Sequence, residues 1–138
     1  MPHLGGLHVL VVDDDADTRE VIAEALAECG ARVTVAGSVP EAMDAIAREK
    51  PDVVLSDIAM PGETGLDLIR RIRALAPEAG GNIPATALTA YTRQELRNEM
   101  HAAGFELHIA KPVDPAELCA RVATLGRVRD TTSRADRS

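Results

Sequence analysis

Four short apolar runs, each closed by a polar residue, constrain this chain more than any other feature. Residues 7–12 end at Asp13 and Asp14, residues 53–56 at Asp57, residues 84–88 at Thr89, and residues 107–110 at Lys111. Runs with so little polar alternation are the pattern of strands buried on both faces. Segments of helical spacing separate them, with one further short strand of alternating character at 32–36. Five strands alternating with five helices predict an α/β domain, with a parallel sheet covered on both sides and right-handed crossovers. In an open parallel sheet the carboxyl ends of the strands share one rim, and ligands bind there. The spacing therefore predicts a pocket holding three carboxylates, a hydroxyl and an ammonium. Oxygen donors suit a hard divalent ion such as Mg²⁺, and an ammonium suits a phosphoryl group.

The helices read as follows. A first helix is expected over 17–29, with Val21, Ile22, Ala25, Leu26 and Cys29 facing inward and Asp15 or Asp17 as cap; Glu20 follows Asp17 at capping-box spacing. Ser38 is expected to cap a second helix, with Pro40 in its first turn and Val39, Ala42, Met43 and Ile46 inward. Pro61-Gly62 suits a type II turn. The third helix is expected over 65–75, with Leu66, Ile69, Ile72 and Leu75 inward. A fourth follows over 92–102, with only Leu96 and Met100 apolar enough to anchor it, then a strand over 105–109. The last is expected over 114–125, with Leu118, Val122 and Leu125 on one stripe. From residue 127 the sequence is polar and aperiodic, so the domain is drawn as 1–126, with 127–138 as a flexible tail or linker.

The chain has 138 residues and is 46% apolar, enough for one domain without disulfides or a structural metal. Tyr91 and Phe105 are its only aromatic side chains, so the core must be aliphatic. A formal net charge of −7 excludes the basic stripe that a nucleic-acid surface needs. Cys29 and Cys119 each fall inside a helical pattern and read as two small buried hydrophobes rather than a redox pair. His3, His8 and His101 lack the spacing of zinc ligands. There is no signal-peptide pattern and no apolar run near the roughly 20 residues of a membrane span. The expected location is the cytoplasm.

The rim residues have specific company. Val11-Val12-Asp13-Asp14, Asp57-Ile58-Ala59-Met60-Pro61 with Gly65 beyond, Leu88-Thr89-Ala90 and Ala110-Lys111-Pro112 together resemble the receiver domain of two-component response regulators, over residues 7–125. The resemblance implies a flavodoxin-like (βα)5 doubly wound sheet of strand order 2-1-3-4-5. It implies that Asp57 is the phosphoacceptor, and that Asp14, Asp57 and the Ala59 carbonyl bind Mg²⁺ directly, with Asp13 acting through a metal-bound water. Thr89 and Lys111 would hold the phosphoryl oxygens. The donor would be a histidine kinase or histidine phosphotransfer protein, and the recipient a downstream protein rather than DNA. The fourth helix, fifth strand and last helix would form the signalling face, and a dimer, if one forms, would use it. The protein would catalyse only its own phosphotransfer and slow dephosphorylation.

Further details come with the resemblance. The Lys111-Pro112 bond is usually cis in the family. The position three before the lysine, aromatic in well-studied members, is His108 here. It is expected as a half-exposed strand residue; the sharper reading is a weak or pH-dependent readout. Tyr91 is expected to shade an acyl phosphate from water. The wording around the motifs is similar to receivers of hybrid histidine kinases. Two other readings compete: an interaction module that takes no phosphate, and a dehalogenase-type phosphohydrolase using Asp13 and Asp15, for which 138 residues leave little room for a substrate pocket.

Overall fold

In the computed structural model of the chain the described residues are 4–90 and 93–137, with side chains described as far as residue 126. The chain alternates strictly: β1 (His8–Val12), α1 (Ala16–Glu28), β2 (Arg32–Ala36), α2 (Val39–Arg48), β3 (Val53–Asp57), α3 (Gly65–Arg73), a single 3₁₀ turn (Pro77–Ala79), β4 (Ala85–Thr89), α4 (Gln94–Ala103), β5 (Leu107–Ala110) and α5 (Pro115–Arg137). The five strands form one parallel sheet in the order β2-β1-β3-β4-β5, as expected.

Alternate strand residues feed two separate cores. Leu10, Val12, Val54, Ala85 and Ala87 pack against α2, α3 and α4, through Ala42, Ile46, Leu68, Ile69, Ile72 and Met100. Val9, Val11, Leu55, Leu88 and Ile109 pack against α1 and α5, through Ile22, Leu26, Leu118 and Val122. Fully burying one such aliphatic side chain is worth about 1.5–3 kcal/mol, so the two layers hold the sheet flat against both helix sets.

The ends of the helices are set by short polar signals. Asp15, not Asp17, caps α1, and its side chain accepts a hydrogen bond from the Asp17 amide at 3.0 Å. Ser38 caps α2 as expected. Thr64 and Asp67 form a capping box on α3 that the sequence reading passed over. Gly62 has φ of 74°, which suits the third position of the expected type II turn.

Three inward assignments change. Val21 is 61% exposed, because the buried stripe of α1 runs through Ile22 and Leu26 to Cys29, and one residue back lies about 100° round the helix. On α3 Ile69 and Ile72 are fully buried as expected and Leu68 joins them, while Leu66 and Leu75 lie at the margin of the core. The fifth strand starts two residues later than expected, since Phe105 is buried in the turn that precedes it. The backbone of α5 stays helical to Arg137, and Leu125 is the last buried apolar residue among the described side chains. Side chains from 127 onward are outside the described residues, and so is the side-chain character of the expected tail. No helix of the described residues is long and apolar enough to cross a membrane.

Candidate functional site

The sheet order reverses between β1 and β3: β2 lies beyond β1 on one side, and β4 lies beyond β3 on the other. The carboxyl ends of β1 and β3 therefore flank the crevice where such sheets bind ligands. Asp57 is the last residue of β3 and Thr89 the last of β4; Asp13 follows β1 and Lys111 follows β5. Asp13 is fully buried, Asp57 is 6% exposed and Asp14 faces solvent. One carboxylate oxygen from each of Asp13, Asp14 and Asp57 lies within 4.8 Å of the others. The Lys111 ammonium sits 3.2 Å from Asp13 Oδ2 and 3.2 Å from Asp57 Oδ1, closing the cluster. Thr89 is buried, and its carbonyl accepts the Lys111 amide at 2.9 Å, so the two residues are joined through the backbone. The Lys111-Pro112 bond is cis.

The neighbourhood fixes each group. Asp13 Oδ1 accepts the Asp15 amide at 2.9 Å. The Asp13 carbonyl accepts from the Arg19 guanidinium at 2.8 Å. Arg19 was missed in the sequence; its only signal is that it stands one turn into the helix that Asp15 caps. Gly65 was noted as part of the motif, and the structure gives the reason. A Cβ there would run into the Asp57 carbonyl and come within 2.9 Å of Ile58 Cα. The Gly65 amide instead donates to the Ile58 carbonyl at 3.0 Å, drawing the start of α3 onto the end of β3. The loop between them carries exposed Ala59 and buried Met60.

Three carboxylates facing one ammonium leave the pocket with an excess of negative charge. Burial pushes the Asp57 carboxyl above its ordinary value of 3.8; Lys111 pulls it back, and Asp13 and Asp14 push it up again. Burial alone would lower Lys111, but the carboxylates of Asp13 and Asp57 outweigh it and raise its value. Lys111 is therefore a fixed cation. A cluster of hard oxygen donors with unbalanced negative charge is the donor set that Mg²⁺ takes.

His108 is exposed on β5, and His101 is exposed on α4. His8 is buried, with Nε2 2.7 Å from Thr34 Oγ1, far from the pocket at the other end of β1. His3 and Tyr91 lie outside the described residues.

Fold and pocket together define a doubly wound α/β protein with an acidic, lysine-closed site on the carboxyl rim of its sheet. Residues 9–123 match the model of the response regulator receiver domain. A 14.6 kDa protein from the sodA1 3′ region of Leptolyngbya boryana is 46% identical over 118 residues, covering 86% of this chain and 88% of that one. Hybrid signal transduction histidine kinase D of Dictyostelium discoideum is 32% identical over 139 aligned positions; these take in 96% of this chain but only 9% of that much longer protein. Among solved structures, chemotaxis protein CheY4 of Vibrio cholerae superposes with a TM-score of 0.81 at 28% identity, covering 86% of this chain and 98% of that one. The chain belongs to the response regulator receiver family. Receivers of this family take a phosphoryl group on an aspartate and work with histidine kinases or phosphotransfer proteins. They bind Mg²⁺ at an acidic cluster of the kind formed here by Asp13, Asp14 and Asp57.

Proposed function

We propose that this chain is a phosphorylation-dependent switch of a two-component phosphorelay, with Asp57 as its phosphoacceptor. The observation that carries the reading is the Lys111 ammonium held equally close to Asp13 and Asp57 at the carboxyl rim of the sheet. Asp57 is the carboxylate whose oxygen would attack phosphorus; the bond to the donor's imidazole nitrogen breaks, and the imidazole leaves and takes up a proton. Lys111 would bind one transferred oxygen as a point charge, and the Thr89 hydroxyl another. Asp13, Asp14, Asp57 and the Ala59 carbonyl would hold Mg²⁺, which when bound supplies positive charge to the phosphoryl oxygens. Asp13 is not placed as a nucleophile: it is fully buried, and both of its oxygens are engaged by Lys111 and the Asp15 amide. That weighs against the phosphohydrolase alternative.

A donor must present its phosphohistidine at the rim. Beside the pocket lies an open groove of about 350 Å³ between α1 and the loop that follows β5, lined by Asp17, Thr18, Val21 and Ile22 on one side and Lys111, Pro112 and Val113 on the other. Exposed Val21 gives a partner helix apolar surface next to the reacting group. Phosphorylation adds roughly −1.5 to −2 charge at Asp57. The hydrogen bond between Thr89 and Lys111 ties β4 to the end of β5, so a shift of Thr89 would pass toward the α4–β5–α5 face. The chain's partners on that face, and any dimer through it, follow from this reading and belong to the cytoplasmic setting of such relays.

The test is incubation with acetyl phosphate and Mg²⁺, followed by intact mass. One labile phosphoryl group is expected, absent in Asp57→Asn and without EDTA-resistant uptake. No uptake at all would leave only an interaction module, and turnover of external phosphate esters through Asp13 would make the protein a hydrolase.

A further inference from the structure

The phosphorylation chemistry makes no use of the two cysteines, yet the fold brings them together across 90 residues of sequence. Cys29 is the C-cap of α1, and Cys119 lies in the first turns of α5. Their sulfurs are 2.8 Å apart, inside the core layer shared by the two helices. Cys119 Sγ has one other polar neighbour, the Ala25 carbonyl at 3.6 Å. The Cys29 thiol donates to the Cys119 sulfur and the Cys119 thiol to the Ala25 carbonyl, so in the reduced protein the two sulfurs already point at each other. A disulfide bond measures about 2.05 Å, so closing it requires the sulfurs to approach by only about 0.8 Å (2.8 − 2.05).

We propose that Cys29 and Cys119 form a reversible intramolecular disulfide that ties α1 to α5, by exchange with a low-molecular-weight disulfide.

The order of events follows from access. Cys29 is 6% exposed and Cys119 is fully buried. The Cys29 sulfur attacks one sulfur of the small disulfide; the S–S bond of the reagent breaks, and its other half leaves as a thiol carrying the Cys29 proton. The Cys119 sulfur then attacks Cys29 in the mixed disulfide, and the second half leaves as a thiol with the Cys119 proton. Two protein thiols are oxidised, one small disulfide is reduced to two thiols, and no other reagent is consumed. Burial pushes the Cys119 thiol up to about 12, the neighbouring Cys29 adding to the effect, so Cys119 is no independent target. It reacts only when Cys29 presents a disulfide beside it. Cys29 sits at the opposite end of α1 from the pocket, 13 residues or about 20 Å along the helix.

The experiment uses the full chain in glutathione buffers of rising oxidised fraction, read by intact mass and by alkylation after unfolding. Wild type is expected to lose the mass of two hydrogens, to protect both cysteines from alkylation and to yield one crosslinked Cys29–Cys119 peptide pair. Its thermal midpoint should rise by roughly 5–15 °C and return on reduction. Cys119→Ala should stop at a glutathione adduct on Cys29, and Cys29→Ala should stay unmodified. Two free thiols in the most oxidising buffer, a covalent dimer, a stable adduct on wild-type Cys29, or a lowered midpoint would each overturn the proposal. All of these readouts are independent of phosphorylation.

Discussion

Replacing Lys111 by Met tests whether the pocket is governed by charge. Met keeps much of the unbranched stem and removes the ammonium. At an effective dielectric of about 20, a carboxylate–ammonium pair at 3.2 Å is worth about 5 kcal/mol before desolvation, and Lys111 makes two such pairs. Returning the ammonium to water recovers several kcal/mol of that. A second limit applies to the loss. Once Lys111 is gone, Asp57 can escape repulsion by taking a proton, which at pH 7 costs at most about 4 kcal/mol from an ordinary value of 3.8. The net destabilisation in EDTA should therefore be about 2–4 kcal/mol, read as a lower urea midpoint at unchanged m-value. Mg²⁺ at saturation should shrink the deficit, because the ion supplies positive charge to the same oxygens. In an Asp57→Asn background the cost of Lys111→Met should fall to about half, since one of the two pairs is already absent. Equal costs in both backgrounds, or a deficit indifferent to Mg²⁺, would refute the charge argument and leave Lys111 as packing alone.

Further expectations follow from the same geometry. Because burial holds the Asp57 carboxyl above its ordinary value, the metal-free fold binds that proton more tightly than the unfolded chain does. Its contribution is full below pH 3.8 and is lost as pH rises through the raised value; urea midpoints in EDTA should fall across that window in wild type and less so in Asp57→Asn. Arg73 reaches the carbonyls of Gly81, Ile83 and Gly104 and the Glu106 carboxylate, at 2.6–3.2 Å. Arg73→Ala strands those acceptors and should cost about 2–4 kcal/mol in a denaturant melt, with Arg73→Lys recovering only part, since an ammonium cannot span them. Gly65→Ala forces the start of α3 away from the Asp57 carbonyl, and acetyl phosphate uptake by mass should drop at least tenfold even where circular dichroism shows a folded protein.

How much of this was readable in advance depends on whether a feature is a matter of topology or of side-chain packing. The strand order came with the family resemblance, but the convergence of Asp13, Asp57, Thr89 and Lys111 follows from one rule: parallel strands end on one rim, so a polar residue after each apolar run must land there. A linear pattern carries that information in full. The meeting of Cys29 with Cys119 does not follow from any spacing, because it depends on how two helices 90 residues apart rotate on one core layer. Arg73 was equally opaque: it reads as one more cation in Arg70-Arg71-Ile72-Arg73, and only the fold brings three carbonyls from two other loops to its guanidinium.

Val21 failed for an instructive reason. Periodicity places it beside Ile22 with equal claim to the core, yet a helix can bury only the stripe that faces its sheet, and Ile22–Leu26–Cys29 fills it. Leaving a valine 61% exposed forgoes the burial that a polar residue there would never have offered. It also places apolar surface against the groove that opens on Lys111. Sequence patterning treats every apolar residue as core. On the proposed phosphotransfer reading, a donor protein reaching for Asp57 would meet this valine where the rim meets solvent. The departure falls on the turn of α1 that borders the pocket, where a docking partner would gain the area that the isolated chain leaves uncovered.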